Sequence, residues 1–125
     1  MTTDQPSRQS VTVKVYGIPN CDTVRRARHW LEEHDLGYTF HDYKKHGVDE
    51  GRLRHWIAVH GWEALLNRRG TTFRKLLDAE KAGLDAERAL ALMLAHPAMI
   101  KRPVMEHGDA VIIGFDDAAW QAALL

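Results

Sequence analysis

Cysteine is almost absent from this 125-residue chain, which contains Cys21 and no other. A disulfide framework is therefore excluded, and a reducing cytoplasm is the expected setting. No apolar run approaches the ~18 residues of a membrane-spanning helix, so we expect no membrane partner. The 17 basic and 17 acidic residues give a formal net charge of zero. Because positive charge is not in excess, we expect no direct binding of nucleic acid.

Patterns typical of metal and phosphate sites are also missing. The eight histidines include three pairs spaced five residues apart, which are His29 and His34, His41 and His46, and His55 and His60. Five residues correspond to about 140° of rotation on a helix, so the members of a pair do not share a face as i,i+4 ligands do. The chain has no glycine-rich phosphate loop and no GxSxG motif. We therefore expect no bound metal and no other bound cofactor.

Length and composition are those of one globular domain. The chain is 45% apolar, which is enough to bury a core. Residues 1–10 are polar, and we interpret them as a disordered N-terminal tail. Residues 11–125 are predicted to form a single domain.

The most informative stretch, residues 16–27, joins a predicted strand to a predicted helix. Residues 11–16 are rich in β-branched side chains and alternate between apolar and polar, as in a strand. From Val24 onward the apolar residues recur every three or four positions, as on a helix with one buried face. Cys21 is therefore predicted to lie at a helix N-terminus.

This position predicts a reactive thiol. The first backbone N–H groups of a helix have no partner within the helix, and they favour a negative charge such as a thiolate. Arg28, two turns after Cys21, adds positive charge. Four residues near the helix start are candidates to support the thiolate, namely Asn20, Asp22, Thr23 and Arg25. Ordinary helix capping explains the first three equally well, and the alternative for Cys21 is a small buried hydrophobic residue.

The rest of the chain continues the alternation of strands and helices. A second strand is predicted at residues 38–43, a helical insertion at about 49–100, and a hairpin at 104–113 with its turn at 106–109. Asp49, Asp85 and Asp116 are predicted N-caps, and so is either Thr71 or Thr72.

The resulting order is β-α-β, a helical block, and β-β-α. The two strands that flank the first helix form a βαβ unit and should be parallel. We therefore predict an α/β fold of the thioredoxin-like class with a four-stranded mixed sheet. In that fold the reactive cysteine follows the first strand, as Cys21 does.

Four segments together resemble the arsenate reductase (ArsC) family. They are residues 16–23, 67–76, 96–104 and 113–115, and they occur in the family's order. The chain is most similar to the small YffB branch, with the Spx regulators as further relatives. The resemblance covers essentially residues 11–124.

The resemblance implies that Cys21 is the nucleophile. In arsenate-reducing members three arginines form an oxyanion pocket, and the arginine that precedes a proline matches Arg102. The family fold also implies a cis peptide bond between Arg102 and Pro103 that faces the cysteine. Both residues are therefore candidates for substrate binding.

The other two arginines match less well. One falls at Asn67 in a gapless register, so Arg68 or Arg69 can take its role only after a small shift. The other falls at Gly114, where the side chain is lost. The resemblance therefore leaves arsenate reduction in question and favours the YffB and Spx branches.

Two functions remain open at this point. The first is a thiol oxidoreductase of the arsenate reductase type. Because a second cysteine is missing, an external thiol must resolve any covalent intermediate on Cys21, and glutathione is the expected co-substrate. The second is an Spx-like regulator that binds RNA polymerase without catalysis. Val24 stands where many Spx relatives have the second cysteine of a CxxC pair, which disfavours a two-cysteine redox switch.

Overall fold

The computed structural model describes residues 12–125, and the predicted N-terminal tail lies outside this range. Within it, four strands form one sheet: β1 (Val13–Gly17), β2 (Tyr38–Asp42), β3 (Val104–His107) and β4 (Ala110–Ile113). The spatial order is β2-β1-β3-β4. The β1–β3 and β3–β4 pairs are antiparallel, and the β2–β1 pair makes the sheet mixed. The predicted α/β class and thioredoxin-like sheet are thus confirmed.

The helices of the described range fall mainly between β2 and β3. They are α1 (Asp22–Glu33), α2 (Tyr43–His46), α3 (Glu50–His60), α4 (Trp62–Leu65), α5 (Thr71–Arg74), α6 (Asp78–Lys81), α7 (Ala86–Ala95) and α8 (Asp117–Leu124). A short 3₁₀ helix covers Pro97–Met99.

The contacts within the chain divide it into two compact units. The first comprises the described residues up to His41 together with Arg102–Leu125, and the second is Asp42–Lys101. The single domain expected for residues 11–125 stays a prediction.

The first unit has its hydrophobic core on one face of the sheet, beneath α1 and α8. The buried side chains of this core are Val13, Val15, Ala27, Trp30, Leu31, Met105 and Trp120. Val13 and Val15 share a face because side chains alternate along a strand. The core fixes α1 against the sheet, and with it the helix N-terminus that carries Cys21.

A hydrogen bond between two buried side chains links β1 and β3. The buried Tyr16 hydroxyl donates a hydrogen bond of 3.1 Å to Oε1 of Glu106, which is itself buried. The His41 ring of β2 lies beside Tyr16, with 5.4 Å between the ring centroids. The Tyr16 hydroxyl reduces the free-energy cost of burying the Glu106 side chain, because it donates a hydrogen bond to that side chain.

The second unit is helical and has buried residues of its own. The Tyr43 hydroxyl donates a 2.7 Å hydrogen bond to the Ile100 carbonyl, and both residues are buried. On its surface Arg54 binds Glu50 on its own helix and Glu87 on α7, each at 2.9 Å.

Three of the predicted helix caps are confirmed. The Asp49, Asp85 and Asp116 side chains accept hydrogen bonds from the first turns of α3, α7 and α8. The predicted threonine cap is wrong, because Gly70 is the N-cap of α5 and no side chain caps it.

Two strand boundaries also differ from the prediction. Asp42 ends β2 and caps α2, so Tyr43, which was predicted to end the strand, begins a helical turn. Glu106 and His107 belong to β3, and the hairpin turn is confined to Gly108 and Asp109. The polar side chain of Glu106 was interpreted as a turn residue, whereas it pairs with Tyr16 inside the first unit.

Candidate functional site

Cys21 lies at the junction between β1 and α1. Its N–H donates to the Ile18 carbonyl at 3.3 Å, and its carbonyl accepts from the Arg25 N–H at 2.9 Å. Cys21 is the N-cap of α1, with extended backbone angles of φ −101° and ψ 129°. The half-buried thiol is therefore beside the N-terminal amides of α1, as the sequence predicts.

The surroundings of the thiol favour its anionic form. Partial burial raises the pKa of the Cys21 thiol. Hydrogen bonds from the Val24 backbone N–H, the Arg102 side chain and the Thr23 backbone N–H, together with the charge of Arg102, lower that pKa by more. The pKa of Cys21 is therefore below the ordinary value for a cysteine.

Arg102 is the charged side chain that reaches Cys21, and it belongs to the same unit. The peptide bond from Arg102 to Pro103 is cis. The Pro103 carbonyl accepts a 2.7 Å hydrogen bond from the Gly114 N–H. The Gly114 carbonyl in turn accepts a 3.0 Å hydrogen bond from Nε1 of Trp120 in α8. The segment that carries Arg102 is thus tied through Gly114 to the core.

Gly114 has a positive φ of 83°. This conformation suits glycine and is uncommon for other residues. An added Cβ would meet no atom within 4 Å, so the position has open space even though its backbone disfavours a larger residue.

The candidate supporting residues have different surroundings. Thr23 contributes its backbone N–H to the sulfur, and Asn20 is exposed. Arg25 forms a 2.6 Å ion pair with Asp22, and both side chains are largely exposed. The supporting roles of Asn20, Asp22 and Arg25 stay predictions.

Arg28 points to a different part of the first unit. Its guanidinium lies 4.1 Å from the centroid of the Phe40 ring, and its Nε donates a 3.0 Å hydrogen bond to the Tyr38 hydroxyl. Arg28 therefore joins α1 to β2. The prediction that its charge adds to the effect at the thiolate is not supported by these contacts.

Arg68 and Arg69 belong to the second unit, in the loop between α4 and α5. Arg68 stacks on Trp62, with 5.3 Å from the guanidinium carbon to the ring centroid. The Arg69 N–H donates to the Asn67 side chain at 3.1 Å. Both arginine side chains are exposed, and their role in substrate binding stays a prediction.

The sequence did not single out Val24 or Gly17 as parts of the site. Val24 was interpreted as a core residue, and it is buried, but its backbone N–H also binds the sulfur. Its position three residues after an N-cap was the available signal, because that amide has no partner within the helix. Gly17 is buried and ends β1 directly before the loop that carries Cys21.

Residues 12–125 bear on the expectations about metal binding and membrane spanning. No group of three or more His, Cys, Asp or Glu side chains is placed there to hold a metal ion. Nor does any helix in this range have the length and apolar character needed to cross a membrane.

Comparison with known proteins identifies the family. The model of the ArsC family matches residues 16–123. A solved structure named YffB is 55% identical with a TM-score of 0.88, covering 91% of this chain and 100% of its own. An arsenate reductase (ArsC) related protein from Brucella melitensis is 50% identical with a TM-score of 0.72, covering 90% and 94%.

A curated relative carries a different description. The global transcriptional regulator Spx 2 of Bacillus anthracis is 30% identical over 108 residues, covering 84% of this chain and 81% of that protein. The family match nevertheless extends over most of the chain and includes the cysteine, the Arg102–Pro103 segment and Gly114. The chain belongs to the ArsC family.

Proposed function

We propose that the protein is a thiol oxidoreductase that uses Cys21 as its nucleophile and glutathione as its co-substrate. One observation carries the proposal: the Cys21 sulfur accepts hydrogen bonds from the first turn of α1 and from the Arg102 side chain. These contacts stabilise the thiolate, which is the reactive form of cysteine.

The proposed reaction has two exchange steps. The Cys21 thiolate attacks the glutathione sulfur of a mixed disulfide between glutathione and a substrate thiol. The original S–S bond breaks, a Cys21–glutathione disulfide forms, and the substrate leaves as a thiolate. A second glutathione thiolate then attacks the glutathione sulfur of this intermediate, which releases oxidised glutathione and restores the Cys21 thiolate. The substrate thiol is released in its reduced form, one glutathione thiol is oxidised, and both glutathione groups leave together as one molecule of oxidised glutathione.

The external thiol is required because Cys21 has no second cysteine to resolve it. In this proposal Arg102 stabilises the attacking and departing thiolates, since its guanidinium is a permanent cation with several donors. Pro103, which follows Arg102 directly, is proposed to line the same site. Gly114 supplies no cation, so we propose a thiol substrate in preference to arsenate.

The test is an intact-mass measurement of the native protein after incubation with oxidised glutathione. We expect one glutathione adduct, removed by excess reduced glutathione and absent from Cys21→Ser. A native protein that stays unmodified would argue against the proposal. Turnover of arsenate with glutathione, measured in the same preparation, would contradict the choice of substrate.

The second candidate function is an Spx-like regulator that binds RNA polymerase. The 30% identity to Spx 2 of Bacillus anthracis favours it. Binding of the wild type and of Cys21→Ser to purified RNA polymerase would separate the two proposals. Equal, tight binding by both proteins, with no glutathione adduct, would favour the regulator.

A further inference from the structure

Gly17 is in very close contact with the first turn of α1. A Cβ added at Gly17 would lie 2.8 Å from Cγ2 of Val24, 3.6 Å from its Cγ1, and 3.8 Å from Cβ of Arg102. Carbon atoms in favourable contact are about 3.5–4.0 Å apart, so the first distance is a severe overlap. Gly17 is buried, and its φ is not in the positive range that demands glycine. Glycine is therefore needed at position 17 because a larger residue does not fit, and not because of its backbone conformation.

Val24 has little freedom to relieve such an overlap. Its side chain is fully buried, and a β-branched residue in a helix is confined to essentially one χ1 rotamer. An added methyl group at Gly17 must therefore separate the end of β1 from the helix backbone at Val24. The N–H of that backbone is one of the groups that bind the Cys21 sulfur.

We propose that Gly17 is a positioning residue for Cys21: the missing Cβ lets Val24 pack against the end of β1, which places the Val24 N–H at the sulfur. The 3.8 Å distance to Cβ of Arg102 is an ordinary contact, so the overlap is confined to Val24. This inference rests on the proposed function and deepens it, because Gly17 and Val24 act as a size-matched pair that prepares the nucleophile.

The first test is the pH profile of Cys21 alkylation by iodoacetamide in Gly17→Ala. We expect the midpoint to move to higher pH and the rate at pH 7 to fall several-fold. Gly37→Ala is the matched control, because an added Cβ there meets no atom within 4 Å, and its midpoint should equal that of the wild type. The charged side chain that binds the sulfur, Arg102, and the neighbouring Asp22–Arg25 ion pair are unchanged in both variants.

The second test is rescue by Gly17→Ala/Val24→Ala. Removing both Cγ atoms of Val24 eliminates the 2.8 Å overlap and keeps the backbone N–H, so the midpoint should return toward the wild-type value. A second core truncation ordinarily costs stability by itself, so a midpoint that returns toward the wild-type value reports relief of the overlap at Val24 and not a gain in stability. If Gly17→Ala does not fold, the double variant still carries the test.

Three results would overturn the inference. They are a folded Gly17→Ala with a wild-type midpoint, a folded double variant whose midpoint stays raised, and a double variant that does not fold. The proposed function is tested separately by the wild type. An ordinary thiol midpoint in the wild-type protein would remove the basis of the proposed function whatever the variants do.

Discussion

At the scale of single residues, the reactivity of Cys21 results from opposing influences. Burial raises the pKa of the thiol, and hydrogen bonds from Val24, Arg102 and Thr23 lower it. Two of these three donors are backbone amides, which side-chain substitution leaves in place. Arg102 is therefore the group through which the thiol can be perturbed most directly.

Arg102→Ala should make Cys21 less reactive at neutral pH. The variant loses a charge-assisted hydrogen bond to the sulfur, a type of bond roughly twice as strong as a neutral one. We expect a higher thiol pKa and a several-fold lower alkylation rate at pH 7. Arg26→Ala, which removes an exposed arginine of α1, is the control and should alkylate at the wild-type rate. Equal rates for the two variants would exclude Arg102 from the thiolate site.

The sequence was informative about the site where local rules apply. The helix N-terminus at Cys21 followed from a change of hydrophobic period. The partner of Arg28 did not follow, because helical spacing gives the face of a side chain but not which distant ring it reaches. Arg28 packs on the Phe40 ring of β2. The contact between Gly17 and Val24 was likewise hidden, since it depends on how closely α1 approaches β1.

At the scale of elements, α8 supports the segment before β3 through Trp120. The indole Nε1 donates to the Gly114 carbonyl at 3.0 Å, and the Gly114 N–H donates to Pro103 at 2.7 Å. Trp120 is fully buried. The sequence predicted a last helix that begins after Asp116, but local patterns could not show a hydrogen bond between that helix and Gly114, which follows β4.

Trp120→Phe should destabilise the protein by on the order of 2 kcal/mol, from a lost donor to the Gly114 carbonyl and a smaller ring in the core. Trp30→Phe is the matched control with the same change in volume. Trp30 donates to the side chain of Asp117, which is exposed, so water can replace the lost donor. Trp30→Phe should therefore lower the free energy of unfolding by less than Trp120→Phe does. Urea unfolding of both variants measures the difference. A Trp120→Phe variant as stable as Trp30→Phe would contradict the structural role of this hydrogen bond.

Element boundaries were predictable where side chains decide them. Asp49, Asp85 and Asp116 cap helices because a short carboxylate can accept from the exposed amides of the first turn. Gly70 starts α5 without a side-chain cap, and no local signal marks such a start. Glu106 was misinterpreted because a charged residue usually favours a turn over a buried strand, and its partner Tyr16 is 90 residues away in the chain.

At the scale of the whole molecule, the order of elements followed from the sequence and the order of strands in the sheet did not. The apolar residues recur with the period of a strand in some segments and of a helix in others, and this alternation predicts the order β-α-β, a helical block, and β-β-α. That order indicates the fold class. The placement of β3 between β1 and β4 depends on pairing between distant segments, which local patterns do not encode. The second unit, Asp42–Lys101, was anticipated only as a helical block.

The thiol also links global stability to pH. Because the pKa of Cys21 is lowered in the folded protein, the unfolded state binds more protons between that pKa and the unfolded value near ~8.5. The free energy of unfolding should therefore rise with pH across this interval, relative to Cys21→Ser. The extra stability is fully present above the unfolded pKa and is lost as pH falls through the folded one. Urea unfolding at several pH values measures it, and parallel profiles for the two proteins would contradict it.

The most direct measurement for the central claim, that Cys21 is an activated thiolate, is the pH dependence of its alkylation rate in the native wild-type protein. The contacts from Val24, Arg102 and Thr23 predict a midpoint well below ~8.5, the value of an unperturbed cysteine. A midpoint at or above that value, or no alkylation before unfolding, would contradict the claim and leave Cys21 as a structural residue.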